Sequence, residues 1–173
     1  MLCDISGSMA PYSRAAIQLL HAAATAGPRA EVFTFATRLT RLTRALAVAD
    51  PDAALAAAAR TAPDWDGGTR IGTSLKEFVD RYGRRGVARG AVVVVVSDGW
   101  DRDDPALVGE QMQRLRRLAH RIVWVNPRTA APGYEPLAGG MAAALEHCDQ
   151  LVSGNTLVTL AAAMGALADS RVS

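Results

Sequence analysis

Apolar and polar positions along the chain fall into two alternating rhythms, short β-type runs and longer stretches with helical spacing. Leu2 to Ile5 is a brief apolar run that predicts a strand. Pro11 to Ala26 sets Ile17, Leu20 and Ala24 on one face of a predicted helix that stops at Gly27-Pro28. Glu31 to Ala36 alternates as a second strand. Leu39 to Leu42 returns after only two residues, enough for a hairpin and too few for a parallel crossover, so it is expected as an antiparallel edge strand. Asp50-Pro51 joins an N-cap to a proline at the first helical position and opens an alanine-rich helix to Arg60. Pro63 to Thr69 reads as a loop and Ile71 to Tyr82 as a helix.

The run Ala91-Val92-Val93-Val94-Val95-Val96 is β-branched, uninterrupted and too short for a helix, which predicts a strand apolar on both faces in the middle of a parallel sheet. Asp104-Pro105 caps another helix to about His120. Ile122 to Val125 is a strand closed by Asn126-Pro127, and a loop runs from Pro127 to Gly140. A helix over Met141 to His147, a short strand near Leu151 and a last helix from Thr156 to Ala168 finish the pattern. Repeated strand-helix units predict the α/β class: a doubly wound, mostly parallel six-stranded sheet with one antiparallel edge strand and helices on both faces.

Composition narrows this to one domain over residues 1–173, since 173 residues hold one well-buried core rather than two and no linker interrupts them. Half the residues are apolar and 21% charged, which excludes a disordered chain. Neither of the longest apolar runs, Ala53 to Ala59 and Ala91 to Val96, approaches the length of a membrane span. Met1-Leu2 leads straight into polar Asp4 and Ser6, so no secretory leader is expected. Cys3 and Cys148 make neither a metal spacing nor a disulfide framework, and the expected setting is cytoplasmic with both thiols reduced. The formal charge is only +2, and every basic residue except Lys76 is Arg. With alanine so abundant, this Arg usage reflects compositional drift, and a near-neutral balance gives no reason to expect a nucleic-acid partner.

In a doubly wound sheet, ligands bind beyond the carboxyl ends of the strands. Three segments fall there: Asp4-Ile5-Ser6-Gly7-Ser8-Met9, Gly67-Gly68-Thr69 and Ser97-Asp98-Gly99. Asp4, Asp98, Ser6, Ser8 and Thr69 among them offer two carboxylates and three hydroxyls, with no imidazole and no usable thiolate. That donor set suits magnesium or manganese with waters completing the shell, and does not suit structural zinc. Enzyme signatures are missing. A haloacid-dehalogenase phosphotransferase needs a second Asp two residues after the first, where Ser6 stands, and there is no phosphate loop, His-Glu-x-x-His helix or Gly-x-Ser-x-Gly elbow. Asp101 is the one candidate base for a metal-bound water, so a small metal-dependent hydrolase is the alternative to a non-enzymatic reading.

Asp4-x-Ser6-x-Ser8, Thr69 behind a double glycine and Asp98 in Ser-Asp-Gly resemble the metal-ion-dependent adhesion site of von Willebrand factor type A (VWA) domains. Cys3 to Met9, Gly67 to Gly72, Ser97 to Arg102, Arg114-Leu115-Arg116-Arg117 and Trp124-Val125-Asn126-Pro127 further resemble the CoxE-like subfamily. The resemblance implies a divalent-cation site with Ser6, Ser8 and Thr69 as hydroxyl ligands and Asp4 and Asp98 bound directly or through water. It also implies that one coordination position is left for a Glu or Asp carboxylate of a partner protein, in an assembly with a MoxR-type AAA+ ATPase that matures a metalloenzyme. Some type A domains bind RNA, a third use that would fall to the arginines; nine aromatic residues leave few stacking platforms for it.

Around this set, Asp101, Asp103 and Asp104 are expected to lower the local potential and oppose acidic partners wherever they face the site. Asp104 caps the helix after it, and Asp103 is expected to favour that same helix end. Trp65 and Trp100 flank the ligands as candidate interface anchors. Arg114, Arg117 and Arg121 are expected on one helical face, and the Arg81 to Arg89 cluster at a helix C-terminus. Only Met1, Leu2 and Cys3 precede Asp4, whereas CoxE-like proteins carry a segment upstream, so a truncated first strand is expected.

Overall fold

The computed structural model describes residues 1–25, 27, 29–48, 50–61, 68–129 and 139–153. The helix expected over Thr156 to Ala168 lies outside the described residues, as do Trp65, Gly67 and most of the loop after Arg128.

The described strands are β1 (Leu2–Asp4), β2 (Phe33–Phe35), β3 (Leu39–Arg41), β4 (Val92–Val96), β5 (Arg121–Asn126) and β6 (Gln150–Ser153). They form one sheet in the order β3-β2-β1-β4-β5-β6. Every pairing is parallel except β2 with β3, which is the hairpin its two-residue connection demands. The chain moves outward from β1 through β2 to β3, then crosses back and moves outward the other way from β4. Strands β1 and β4 are therefore neighbours at the point where the winding reverses, and the crevice between their carboxyl ends is where such sheets bind ligands. In register, Cys3 lies beside Val96, which brings Asp4 level with Ser97.

The valine strand divides its side chains between two cores, as an apolar run on both faces requires. Val94 and Val96 pack with Met9, Leu20, Leu46 and Ala54, whereas Val93 and Val95 pack with Phe33, Leu75, Met112 and Trp124. Helices α1 (Ser13–Thr25), α2 (Thr43–Leu46) and α3 (Pro51–Thr61) serve the first core; α4 (Ile71–Phe78), α5 (Pro105–Arg116) and α6 (Gly139–Leu145) serve the second. Helices thus cover both faces of the sheet.

Several boundaries differ from the sequence pattern for local reasons. The segment Gly7–Tyr12 winds as a tighter 3₁₀ helix, and α1 starts only at Ser13. Helix α4 continues into a wider π-type winding over Val79–Val87, broken at Gly86 with φ of 119°. The four-residue α2 is too short to carry a periodic signal. Helix α5 ends at Arg116, and β5 begins at Arg121, so Arg121 sits on a strand and not on a helical face with Arg114 and Arg117. Those two arginines hydrogen-bond to Gln111 and Gln113, and Arg114 also pairs with Asp80. That is the behaviour of a solvated helix surface.

Candidate metal centre

The end of β1 delivers Asp4 into the crevice as a buried carboxylate. Its Oδ1 accepts the Ser6 N–H at 2.9 Å, and its Oδ2 accepts the Ser97 hydroxyl at 2.7 Å, the contact that the β1–β4 register makes possible. Burial pushes the Asp4 carboxyl up to about 6; hydrogen bonds from Ser6 and Ser97 pull the other way, and the neighbouring Asp98 charge adds to the rise. The 3₁₀ turn after β1 then folds Ser6 and Ser8 toward each other, with hydroxyl oxygens 3.2 Å apart, while Met9 anchors the turn in the core. Adjacent oxygens on a magnesium ion are separated by about 3 Å, so this pair has the spacing of two neighbouring ligands.

At the end of β4, Asp98 is buried as well. Its Oδ1 accepts the Trp100 N–H at 3.1 Å, and its Oδ2 lies 3.4 Å from the Arg128 guanidinium. Gly99 between them has φ of 80°, and a Cβ there would stand 2.6 Å from Met141 Cβ, so both backbone and space require glycine. Asn126 ties the next loop in. Its Nδ2 donates to the Asp98 carbonyl at 3.2 Å and its Oδ1 accepts the Arg128 N–H at 2.8 Å. Trp124 Nε1 donates to the Ser97 carbonyl at 2.9 Å, fixing the end of β4 from the neighbouring strand.

Thr69 reaches the site from the loop before α4. The Arg70 N–H donates to the Ala36 carbonyl at 2.9 Å, and the Thr69 carbonyl accepts the Arg102 N–H at 3.1 Å, so the loop is held from both sides. The first turn of α4 is capped by the loop after β4. Asp101 accepts the N–H groups of Ile71 and Gly72 at 2.9 and 3.0 Å, and Asp103 accepts that of Thr73 at 2.9 Å. Asp104 does cap α5, through the Ala106 N–H at 2.9 Å. The expectation for Asp103 is thus corrected, because it serves α4 and not the helix that follows it. Asp101 and Asp103 hold their negative charge against orphan helix donors, a long-range partnership that no local spacing announces.

Ser6, Ser8 and Thr69 line one cleft of about 390 Å³ together with Trp100, Asp101 and Arg102. The structure therefore brings the three predicted hydroxyls to one opening and the two predicted carboxylates into electrostatic contact with each other, with Asp4 bonded to Ser6. Among the described residues there is no cluster of three or more His, Cys, Asp or Glu side chains able to hold a metal. A cation here would rest on hydroxyls and two carboxylates, and an oxygen-only set of that kind fits a hard divalent ion. Ser97, Asn126, Arg102 and Arg128 were not singled out by sequence reasoning. Ser97 and Asn126 do stand inside conspicuous motifs, Ser-Asp-Gly and Asn-Pro, and those motifs were the available signal.

A family model described as VWA domain containing CoxE-like protein matches residues 1–160. The chain belongs to this VWA, CoxE-like family. Solved structures agree on the fold. A von Willebrand factor type A protein from Catenulispora acidiphila is 19% identical, with a TM-score of 0.62 over 92% of this chain and 39% of that one. Proximal thread matrix protein 1 from the mussel byssus is 17% identical, with a TM-score of 0.61 over 95% of this chain and 43% of that one. Another structure of the mussel protein, 12% identical at a TM-score of 0.58, has a zinc-occupied metal-ion-dependent adhesion site. This VWA chain spans less than half the length of those proteins. No curated protein matches it. None of its described helices is long and apolar enough to cross a membrane.

Proposed function

We propose that this VWA domain is a metal-ion-dependent docking module, not an enzyme, in which Asp4, Ser6, Ser8, Thr69 and Asp98 hold magnesium or manganese and a partner's Glu or Asp completes the shell. The observation that carries this reading is the cleft whose walls bear the Ser6, Ser8 and Thr69 hydroxyls beside two buried carboxylates. When bound, the ion would supply an open Lewis-acidic position. The chain's own part is to orient the donors: the Asp4 carboxylate fixes Ser6, the Ser97 hydroxyl fixes Asp4, and the backbone N–H at position 102, whatever its side chain, holds the Thr69 carbonyl. Five oxygen ligands at most leave at least one of six octahedral positions to water or to a partner carboxylate. Zinc in the mussel relative's site makes zinc an ion to test alongside magnesium and manganese.

The alternative, a small metal-dependent hydrolase, has a poor candidate base, because both Asp101 oxygens are already occupied in accepting the N–H groups of Ile71 and Gly72. Family membership supports a cytoplasmic assembly with a MoxR-type AAA+ ATPase, which is the partner we propose. The test is a pulldown from source lysate with wild-type and Thr69→Ala protein, with and without chelator. Capture of an ATPase that is lost both in chelator and in Thr69→Ala is the expected result; capture unchanged in chelator would place docking on another surface.

A further inference from the structure

The aspartates of the loop after β4 are committed to helix N-termini. Asp101 and Asp103 direct their carboxylates to the N-terminus of α4, and Asp104 to that of α5. From the same loop the cleft is lined by Trp100, Asp101 and Arg102, and of the two charged side chains Asp101 already accepts the N–H groups of Ile71 and Gly72. Arg102 lays its guanidinium flat against Gly68: a Cβ built there would stand 2.5 Å from Arg102 Cζ and Nε. Its backbone N–H holds the carbonyl of Thr69, the next residue. Packing therefore keeps this guanidinium one residue step from a proposed hydroxyl ligand, and no carboxylate pairs with it among the described residues. A guanidinium fork at a cleft wall, with no carboxylate partner among the described residues, is a recognition element for a planar anion. Trp100, 65% exposed, is the most exposed large apolar side chain of the described residues and lies on the same cleft, where it offers a flat wall to a bound segment.

Resting on the docking reading above, we propose that the cleft reads two carboxylates: one for the cation, and a second, within about two residues of it on the partner segment, for Arg102. In an extended segment, residues i and i+2 point the same way and lie roughly 7 Å apart, so a Glu-x-Glu or Asp-x-Asp pair presents both acids to one face. The partner is thus an acidic segment of a protein, and a single exposed acid is a poor ligand.

The test uses ¹⁵N-labelled protein in magnesium and two capped peptides, Gly-Glu-Gly-Gly-Gly with one acid and Gly-Glu-Gly-Glu-Gly with two, with affinities read from amide shifts. For the unaltered chain the two-acid peptide should bind about tenfold tighter, beyond the roughly twofold gain expected merely from having two equivalent acids. Arg102→Met should reduce the preference to about twofold while leaving one-acid binding intact, and Arg102→Lys should restore part of it. Both variants keep the backbone N–H that holds Thr69. A preference no greater than twofold in the unaltered chain, or one unmoved by Arg102→Met, would overturn the role of Arg102 and leave metal docking standing. Shifts that persist in chelator would defeat the docking reading itself, and shifts from neither peptide would overturn both. Inorganic phosphate binding more tightly than the two-acid peptide, and lost in Arg102→Met, would assign the guanidinium to phosphoryl groups and also overturn the proposal.

Discussion

Asp4 and Glu31 are carboxylates at opposite ends of the sheet, and their surroundings differ in kind. At the amino end of β2, Glu31 meets a full cation: Arg41 donates through two guanidinium nitrogens, one at 2.8 Å, and Thr43 adds its hydroxyl. At the carboxyl end of β1, Asp4 has only neutral donors, Ser97 and the Ser6 N–H, and the nearby charge is another carboxylate, Asp98. Glu31 is held below the ordinary glutamate value near 4.5; burial works against this, and the hydrogen bonds from Arg41 and Thr43 outweigh it. Asp4 is pushed up to about 6. One end of the sheet neutralises Glu31 internally and the other keeps buried negative charge in excess, with the Arg128 contact to Asp98 as partial relief among the described residues. Uncompensated buried charge is costly unless something cationic comes to it, which is why the carboxyl end reads as a site and the amino end as a fastening.

The largest effect should come from supplying that cation. At a hundred times its dissociation constant, a ligand specific to the folded state adds about 2.7 kcal/mol, or roughly 5–10 °C in melting temperature for a domain of this size. Magnesium or manganese should raise the melting temperature of wild type by that order and of Glu31→Gln by the same amount, and should leave Asp4→Ala and Asp98→Ala unmoved. Equal metal shifts in all four proteins would erase the contrast between the two ends.

A middle-sized effect tests whether the acids around the cleft are structural. Asp101 satisfies two N–H groups at the start of α4. Asp101→Ala should therefore cost about 1–3 kcal/mol in a urea titration, and Asp101→Asn, which keeps one acceptor oxygen, should cost less. A loss within about 0.5 kcal/mol of zero for Asp101→Ala would mean that its carboxylate does not serve the helix N–H groups, and its charge would then count against an acidic partner in the cleft it lines.

What could be read from the sequence follows the same division. The sheet was legible because its signals are local: the valine run, the two-residue hairpin connection and the Asp-Pro cap each fix an element within a few residues. The five residues could be singled out as candidates because Asp-x-Ser-x-Ser and Ser-Asp-Gly each stand at the end of a strand and Thr69 stands behind a double glycine. The partners of those residues were not. Ser97 bonds to Asp4 across 93 positions, and Asp101 reaches Ile71 across 30. Arg102 packs on Gly68 across a similar gap, so the second glycine reads as a turn former in the sequence and as a berth for a guanidinium in the fold. Contacts of that range depend on which loops share an end of the sheet, and only the strand order supplies that.

The smallest effect belongs to the compensated end. The Arg41–Glu31 pair is partly exposed, with side chains 46% and 25% accessible, and such pairs contribute up to about 1 kcal/mol. Because the folded carboxyl of Glu31 is held below its unfolded value, the unfolded chain binds the proton more readily. The stabilisation is complete above the ordinary range near 4.5 and is lost as pH falls through the lower folded value. Glu31→Gln should therefore destabilise by about 0.5–1 kcal/mol at neutral pH, and the gap between it and wild type should close as the solution is acidified below that range. Urea midpoints at neutral pH and at successive acidic values measure the gap. A gap that widens on acidification would reverse the sign of the linkage, and the amino end would no longer be the compensated end of the sheet.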